Sequence, residues 1–325
     1  MEDDPEPISE PSPQAPSDAP KAGLVGLWGR RVLRVAITYA VVGFLIQAIP
    51  LHAETKGPDN GVLFIHGGGG FNVAEFLNLA MKASKKEQPV ICVITTPQGK
   101  RRAADYKRGI PFRLVKTLRE RFGIEQVNEL YTLSKKDANK PEFYGLIDEA
   151  DAVHMSGGNQ CFLTDAFLGT EIEAALNRLL ERGGVVSGSS AGAQAQSSFM
   201  TRGDYDRGRI ILGDKKHQQG FGFVKLAAFD VHVEERDRER DLLKLFRAKP
   251  KQLQDRQLNP LDLLGIGIDQ NTAITVIRNH FRVSGRGQVY IFDPHTWGEN
   301  QEEWDYYTLP SGAVFNMKTR EVVDQ

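Results

Sequence analysis

Val185-Val186-Ser187-Gly188-Ser189-Ser190-Ala191-Gly192-Ala193-Gln194-Ala195 is the stretch whose reading decides the fold. An apolar run suited to a strand ends in a cluster of very small residues with a serine at its centre, and a helix-compatible segment follows. Gly188-Ser189-Ser190-Ala191-Gly192 satisfies G-x-S-x-G, the pattern in which a sharp strand-to-helix turn lifts one hydroxyl above a sheet edge. The flanking glycines suit unusual dihedrals and the close approach of neighbouring elements. The hydroxyl then sits at a helix N-terminus, where backbone N–H groups face developing negative charge. An ordinary serine cap is the plainer alternative; five small positions after a β-type run favour the elbow.

Outward from this stretch, short apolar runs alternate with helical ones. Gly61 to Ile65, Val90 to Thr95 and Val127 to Leu133 read as strands, and Glu75 to Ala83 and Ala103 to Phe122 as helices. Asp148 to Met155 leads through a strand into Ser156-Gly157-Gly158, and Glu171 to Arg182 is a helix stopped by Gly183-Gly184. This rhythm predicts βαβ units in one doubly wound, mostly parallel α/β sheet covered on both faces. After Ile210 it loosens, and Gly265 to Ile268, Thr272 to Arg278 and Val289 to Phe292 read as short strands pairing as antiparallel extensions.

Composition narrows the function. The chain has 325 residues, 40% hydrophobic and 26% charged, which fits a soluble globular protein. A formal net charge of −1 argues against a nucleic-acid binder that works through a broad basic field. Cys92 and Cys161 show neither metal-ligand spacing nor a disulfide framework. Residues 1–20 are acidic and proline-rich without one basic residue, a disordered tail. Lys21, Arg30, Arg31 and Arg34 then precede an apolar run over 35–51. This reads as a signal peptide cleaved after Ala53, with an uncleaved membrane anchor and an amphipathic packing helix as alternatives. The expected organisation is therefore a leader over 1–54 and one folded domain over 55–325, exported to the periplasm or cell exterior or anchored at the membrane.

Two glycine loops follow strands. His66-Gly67-Gly68-Gly69-Gly70 follows Leu63-Phe64-Ile65, and its N–H groups suit half of an oxyanion hole or a phosphate cradle. The Walker lysine-serine pair is absent. Ser156-Gly157-Gly158-Asn159-Gln160 is the second loop. Ligands of open parallel sheets bind beyond the carboxyl ends of strands, where Ser190 and both loops belong. A serine nucleophile also needs a base. Of seven histidines, His232 in Phe229-Asp230-Val231-His232-Val233 is the leading candidate, with strand alternation placing Asp230 on the same face. The run Glu234 to Arg240 after it is either a solvated helix face or a specificity patch. His217, among lysines and glutamines, reads as a solvated turn.

Taken in order, these motifs resemble the cyanophycinases and aspartyl dipeptidases of peptidase family S51. The resemblance rests on Gly67 to Gly70, Gly157-Gly158-Asn159-Gln160, Gly188 to Ala193, Asp230-Val231-His232-Val233 with Arg236 and Arg238, and Gly265-Ile266-Gly267-Ile268-Asp269-Gln270-Asn271-Thr272-Ala273. It implies a flavodoxin-like, class I glutamine-amidotransferase-like sheet, dimers, and a Ser–His–Glu hydrolase without metal or cofactor. Carried over, it makes Ser190 the nucleophile, His232 the base, Ala191 with Gly68 or Gly69 the oxyanion donors, and Gln160, Asp230, Arg236 and Arg238 the pocket for a small peptide or isopeptide polymer. The family's glutamate falls on Gln270, an amide that can orient an imidazole without a balancing charge. Two rival readings are an α/β-hydrolase esterase using Asp262 or Asp269 with His280 or His295, and a catalytically silent binding protein on the same fold.

Overall fold

The apolar runs become strands in two sheets. The computed structural model describes residues 55–206, 208–248, 253 and 259–323; the leader expected over 1–54 lies outside the described residues. The first half of the chain supplies β1 (Val62–His66), β2 (Ile91–Ile94), β3 (Val127–Leu130), β4 (Ala152–Met155) and β5 (Val185–Ser189). They pair in parallel in the order β3-β2-β4-β5-β1. Parallel pairing buries both faces, which is why β2, β4 and β5 are buried along their whole length. The order reverses between β2 and β4, the kind of switch point at which α/β sheets bind ligands.

Helices fill the crossovers: α1 (Val73–Ser84), α2 (Lys100–Lys107), α3 (Arg113–Glu120), α4 (Lys135–Ala138), α5 (Pro141–Asp148), α6 (Cys161–Phe167) and α7 (Glu171–Glu181). The single helix expected from Ala103 to Phe122 is two. Pro111 lacks an N–H and pushes Ile110 out of helical space, and Gly109 closes α2 at φ +70°. The break is held from the sheet: Arg102 donates to Glu129 at 2.7 and 2.8 Å, and the Phe112 N–H donates to the same carboxylate at 2.9 Å.

The second half adds α8 (Ala191–Gln194), β6 (Ser197–Met200), β7 (Val224–Val231), α9 (Asp241–Ala248), β8 (Leu264–Ile268), β9 (Thr272–Ile277), β10 (His280–Gly285), β11 (Val289–Phe292), β12 (Tyr307–Leu309), β13 (Val314–Asn316) and β14 (Glu321–Val323). β9, β10, β13 and β14 extend the first sheet from β1 with antiparallel pairing. The other five form a second sheet, β12-β11-β8-β7-β6. The expected antiparallel pairing is found for β9 and for the β8–β11 edge, and β8 additionally runs parallel to β7. β6 was not expected, and of β7 only the end near Phe229 to Val233 was, because no regular alternation of helix and strand surrounds them. Mixed parallel and antiparallel strands in a flavodoxin-like α/β fold are the outcome.

Candidate active site

Ser190 leaves the carboxyl end of β5 at φ 54° and ψ −111°, a conformation costly for a residue with a side chain. Close packing holds it there. The Ser190 N–H donates to the His66 carbonyl at 3.0 Å. A methyl on Gly188 would come within 2.2 Å of the Gly192 carbonyl oxygen, and one on Gly192 within 2.3 Å of the Met155 carbonyl oxygen. The glycines of the elbow are thus demanded by space. The helix that follows, α8, is a single buried turn, so an N–H at its start acts as a local donor rather than as the end of a long dipole.

His232 stands just beyond β7, with Nε2 2.7 Å from Ser190 Oγ. Its ring lies on Gly68, where a methyl would approach Cε1 to 2.1 Å. Burial, then the guanidiniums of Arg236 and Arg238 and the neighbouring His66, push its pKa down to about 4. The imidazole is therefore neutral at pH 7 and able to accept a proton from the hydroxyl. With Nε2 accepting, Nδ1 carries the hydrogen; this atom is buried and has no hydrogen-bond partner among the described residues. The bond expected from Gln270 is not formed. Gln270 covers the next glycine instead, since a methyl on Gly69 would meet its Oε1 at 2.9 Å, and its N–H donates to Glu235 Oε2 at 3.3 Å. Asp269 cannot substitute, because its two oxygens accept from the N–H groups of Glu234 and Gln288 at 3.0 and 2.9 Å. His232 is the histidine at Ser190, so the order through Asp262 or Asp269 to His280 or His295 is not the one this fold assembles.

The oxyanion candidates separate. The Gly68 N–H donates to His66 Nδ1 at 3.1 Å, and burial holds that imidazole down at about 4, in its accepting form. Gly68 is therefore occupied. The N–H groups of Gly69 and Ala191 donate to no protein group among the described residues. Asn271 fixes the loop, its N–H donating to the Gly68 carbonyl and its Oδ1 accepting from the Gly70 N–H, both at 2.8 Å.

A cavity of about 640 Å³ opens beside the serine, within the ~300–1,000 Å³ usual for small-molecule sites. Gln160, Arg236 and Arg238 line it, together with residues the sequence did not single out: Lys100, Arg101, Arg202 and Tyr205. Gln160 uses its amide N–H groups on the carbonyls of Thr201 and Arg202, at 3.0 and 2.7 Å. Asp230 does not shape the wall. It is buried and bound by Arg202 through two bonds of 2.7 Å. Strand alternation placed it beside His232, but β7 ends at Val231 and His232 turns to φ 55°. His217 is likewise no solvated turn, being buried with Nε2 3.0 Å from Asp165. One signal for Lys100 and Arg101 was available: Thr96-Pro97-Gln98-Gly99 turns directly after β2, at the same carboxyl edge. Arg202 gives none, as its role depends on an acid 28 residues away.

Among the described residues, no group of three His, Cys, Asp or Glu side chains is arranged to hold a metal ion.

Known proteins share parts of this sequence and of this fold. Cyanophycinases of Synechococcus elongatus and Thermosynechococcus vestitus are each 28% identical over 216 residues, 62% of this chain and 63% of theirs. The cyanophycinase of Geminocystis herdmanii is 23% identical over 173 residues. The match thus spans less than two thirds of these relatives' own length. A crystal structure of a peptidase from an acI-B1 Actinobacterium shares the fold, with a TM-score of 0.56 at 22% identity over 80% of this chain and 98% of that one. The sequence profile of peptidase family S51 matches residues 112–284, more than half of the chain, and the protein belongs to that family.

Proposed function

We propose that this protein is a serine hydrolase of the cyanophycinase-like kind that cleaves a peptide or isopeptide bond. The observation that carries the reading is the 2.7 Å contact between Ser190 Oγ, on a positive-φ elbow, and His232 Nε2. Ser190 attacks the carbonyl carbon as His232 takes its proton, and the oxyanion that forms is met by the N–H groups of Ala191 and Gly69. His232 then gives the proton to the leaving amine, and water repeats the sequence on the acyl-enzyme. Arg236 and Arg238, on the cavity wall beside His232, receive a substrate carboxylate. Gln270 turns towards Nδ1 to orient the ring during turnover. Membership of a peptidase family supports amide hydrolysis.

The unpartnered Nδ1 and the cationic neighbours of His232 favour a second reading, a binding protein that has kept the pocket and lost turnover. Fluorophosphonate labelling separates the two. The hydrolase reading expects labelling and peptide turnover by the full chain, and the loss of both in Ser190→Ala. Equal background labelling of the two proteins would establish the silent alternative.

A further inference from the structure

Five cationic side chains line the cavity at Ser190: Lys100, Arg101, Arg202, Arg236 and Arg238. Among the described residues, no aspartate or glutamate lines it. Arg202 is already neutralised, bound by Asp230 and, at 2.6 Å, by Asp241. Asp230 in turn is 1% exposed and cannot offer its charge to a ligand. Lys100, Arg101 and Arg236 differ from Arg202. They are exposed and form no ion pair with a described residue, although Arg102, next in sequence, is turned inward onto Glu129.

The sheet order spaces these free cations on opposite sides of the nucleophile. Lys100 and Arg101 open the helix after β2, two strands from β5, and hence about 10 Å across the sheet from the elbow. Arg236 follows His232, whose ring packs on the loop after β1, on the other flank of β5; Arg238 beside it is buried and already 3.7 Å from Asp230. A ligand lying over Ser190 thus has unpaired positive charge at both ends and no carboxylate for any cation it carries. The whole chain has a net charge of −1, so selectivity for anions would come from this cleft and not from the overall field.

We propose that the substrate is an oligo-acidic peptide with carboxylates on both sides of the scissile bond, one held by Lys100 and Arg101 and the other by Arg236. This rests on the Ser190–His232 reading for its placement of the scissile bond. The test offers the full-length chain internally quenched tetrapeptides whose central pair is Asp–Asp, Asp–Lys or Lys–Asp, in α- and β-linked forms. The Asp–Asp peptide should be cleaved with a kcat/KM about tenfold above either lysine peptide, as unpaired charge in a cleft discriminates. Replacing both Lys100→Ala and Arg101→Ala should cut that preference to about threefold or less, with the loss in KM. Equal cleavage, or a preference for a lysine peptide, overturns the inference and leaves the Ser190 chemistry standing. Cleavage of none overturns that chemistry, and binding to the full-length Ser190→Ala chain then decides. Fluorescein-labelled tetra-aspartate should bind about tenfold tighter than tetra-lysine and weaken with salt; equal binding overturns the inference.

Discussion

The two halves of this site are built by different forces. Ser190 stands at the edge of the nine-stranded sheet and is held by backbone contact, with glycines at 188 and 192 where no methyl fits. His232 follows β7 of the five-stranded sheet, and the end of that strand carries a buried ion network: Asp230 binds Arg202 through two 2.7 Å bonds and lies 3.7 Å from Arg238. The nucleophile is thus secured by packing that salt and pH barely touch. The strand that delivers the base ends in a buried network in which each charge is sustained by its partner. The largest break in this comparison should therefore come from the charged side. Asp230→Ala leaves Arg202 and Arg238 short of a buried counter-charge, and removing one partner of such a pair costs about 3–5 kcal/mol. Urea unfolding of the full chain measures it. A loss below about 1 kcal/mol would place the pair with solvated surface bridges and remove charge as the anchor of the strand end that precedes His232.

That contrast also explains what the sequence made legible. The elbow, both glycine loops and the parallel strands were readable because their causes are local: an apolar run followed by residues without bulk. His232 was found, and its neighbours Arg236 and Arg238 with it, since they share one short segment. Arg202 and the burial of Asp230 were not, because an ion pair between the turn after β6 and the end of β7 leaves no mark in the spacing of either residue. The same limit hid the role of Gln270. Its sequence position points to His232, whereas its side chain lies over Gly69, a choice made by tertiary packing. The split of the Ala103–Phe122 helix was legible in Gly109 and Pro111 but was outweighed by the apolar periodicity around them.

Gly68 is where the two regions meet, so it tests their contact directly. It has φ +114°, and a methyl there would stand 2.1 Å from His232 Cε1 and 2.7 Å from Nε2. Gly68→Ala must displace the ring from Ser190, and a displacement near 1 Å at a reacting group costs about 10²-fold in rate. We expect kcat to fall by that factor with KM nearly unchanged, since Gly68 lies outside the cavity wall. Wild-type turnover in a folded Gly68→Ala protein would show that the imidazole is not the base.

A carboxylate at position 270 sharpens the comparison with the smallest expected effect. In the wild type, burial and two guanidiniums depress His232 to about 4, and the general base must be neutral to work. The acid limb of kcat/KM should therefore fall near pH 4 rather than near the ordinary histidine value of about 6.5. Gln270→Glu introduces a negative charge next to the Gly68–Gly69 loop on which the ring rests. An opposite charge favours imidazolium, so the pKa rises and the acid limb moves up towards 6.5. The same charge stabilises the imidazolium formed as Ser190 attacks, the contribution lost when the acid of a serine triad is replaced by its amide. Because residue 270 is half-buried and now lies over Gly69, screening and rotation reduce the gain, and we expect about a tenfold rise in kcat/KM at pH 8. The pH–rate profiles of the two proteins measure both effects together. A limb that stays near pH 4 would mean that residue 270 never reaches Nδ1, and His232 would then work as a base oriented by packing alone.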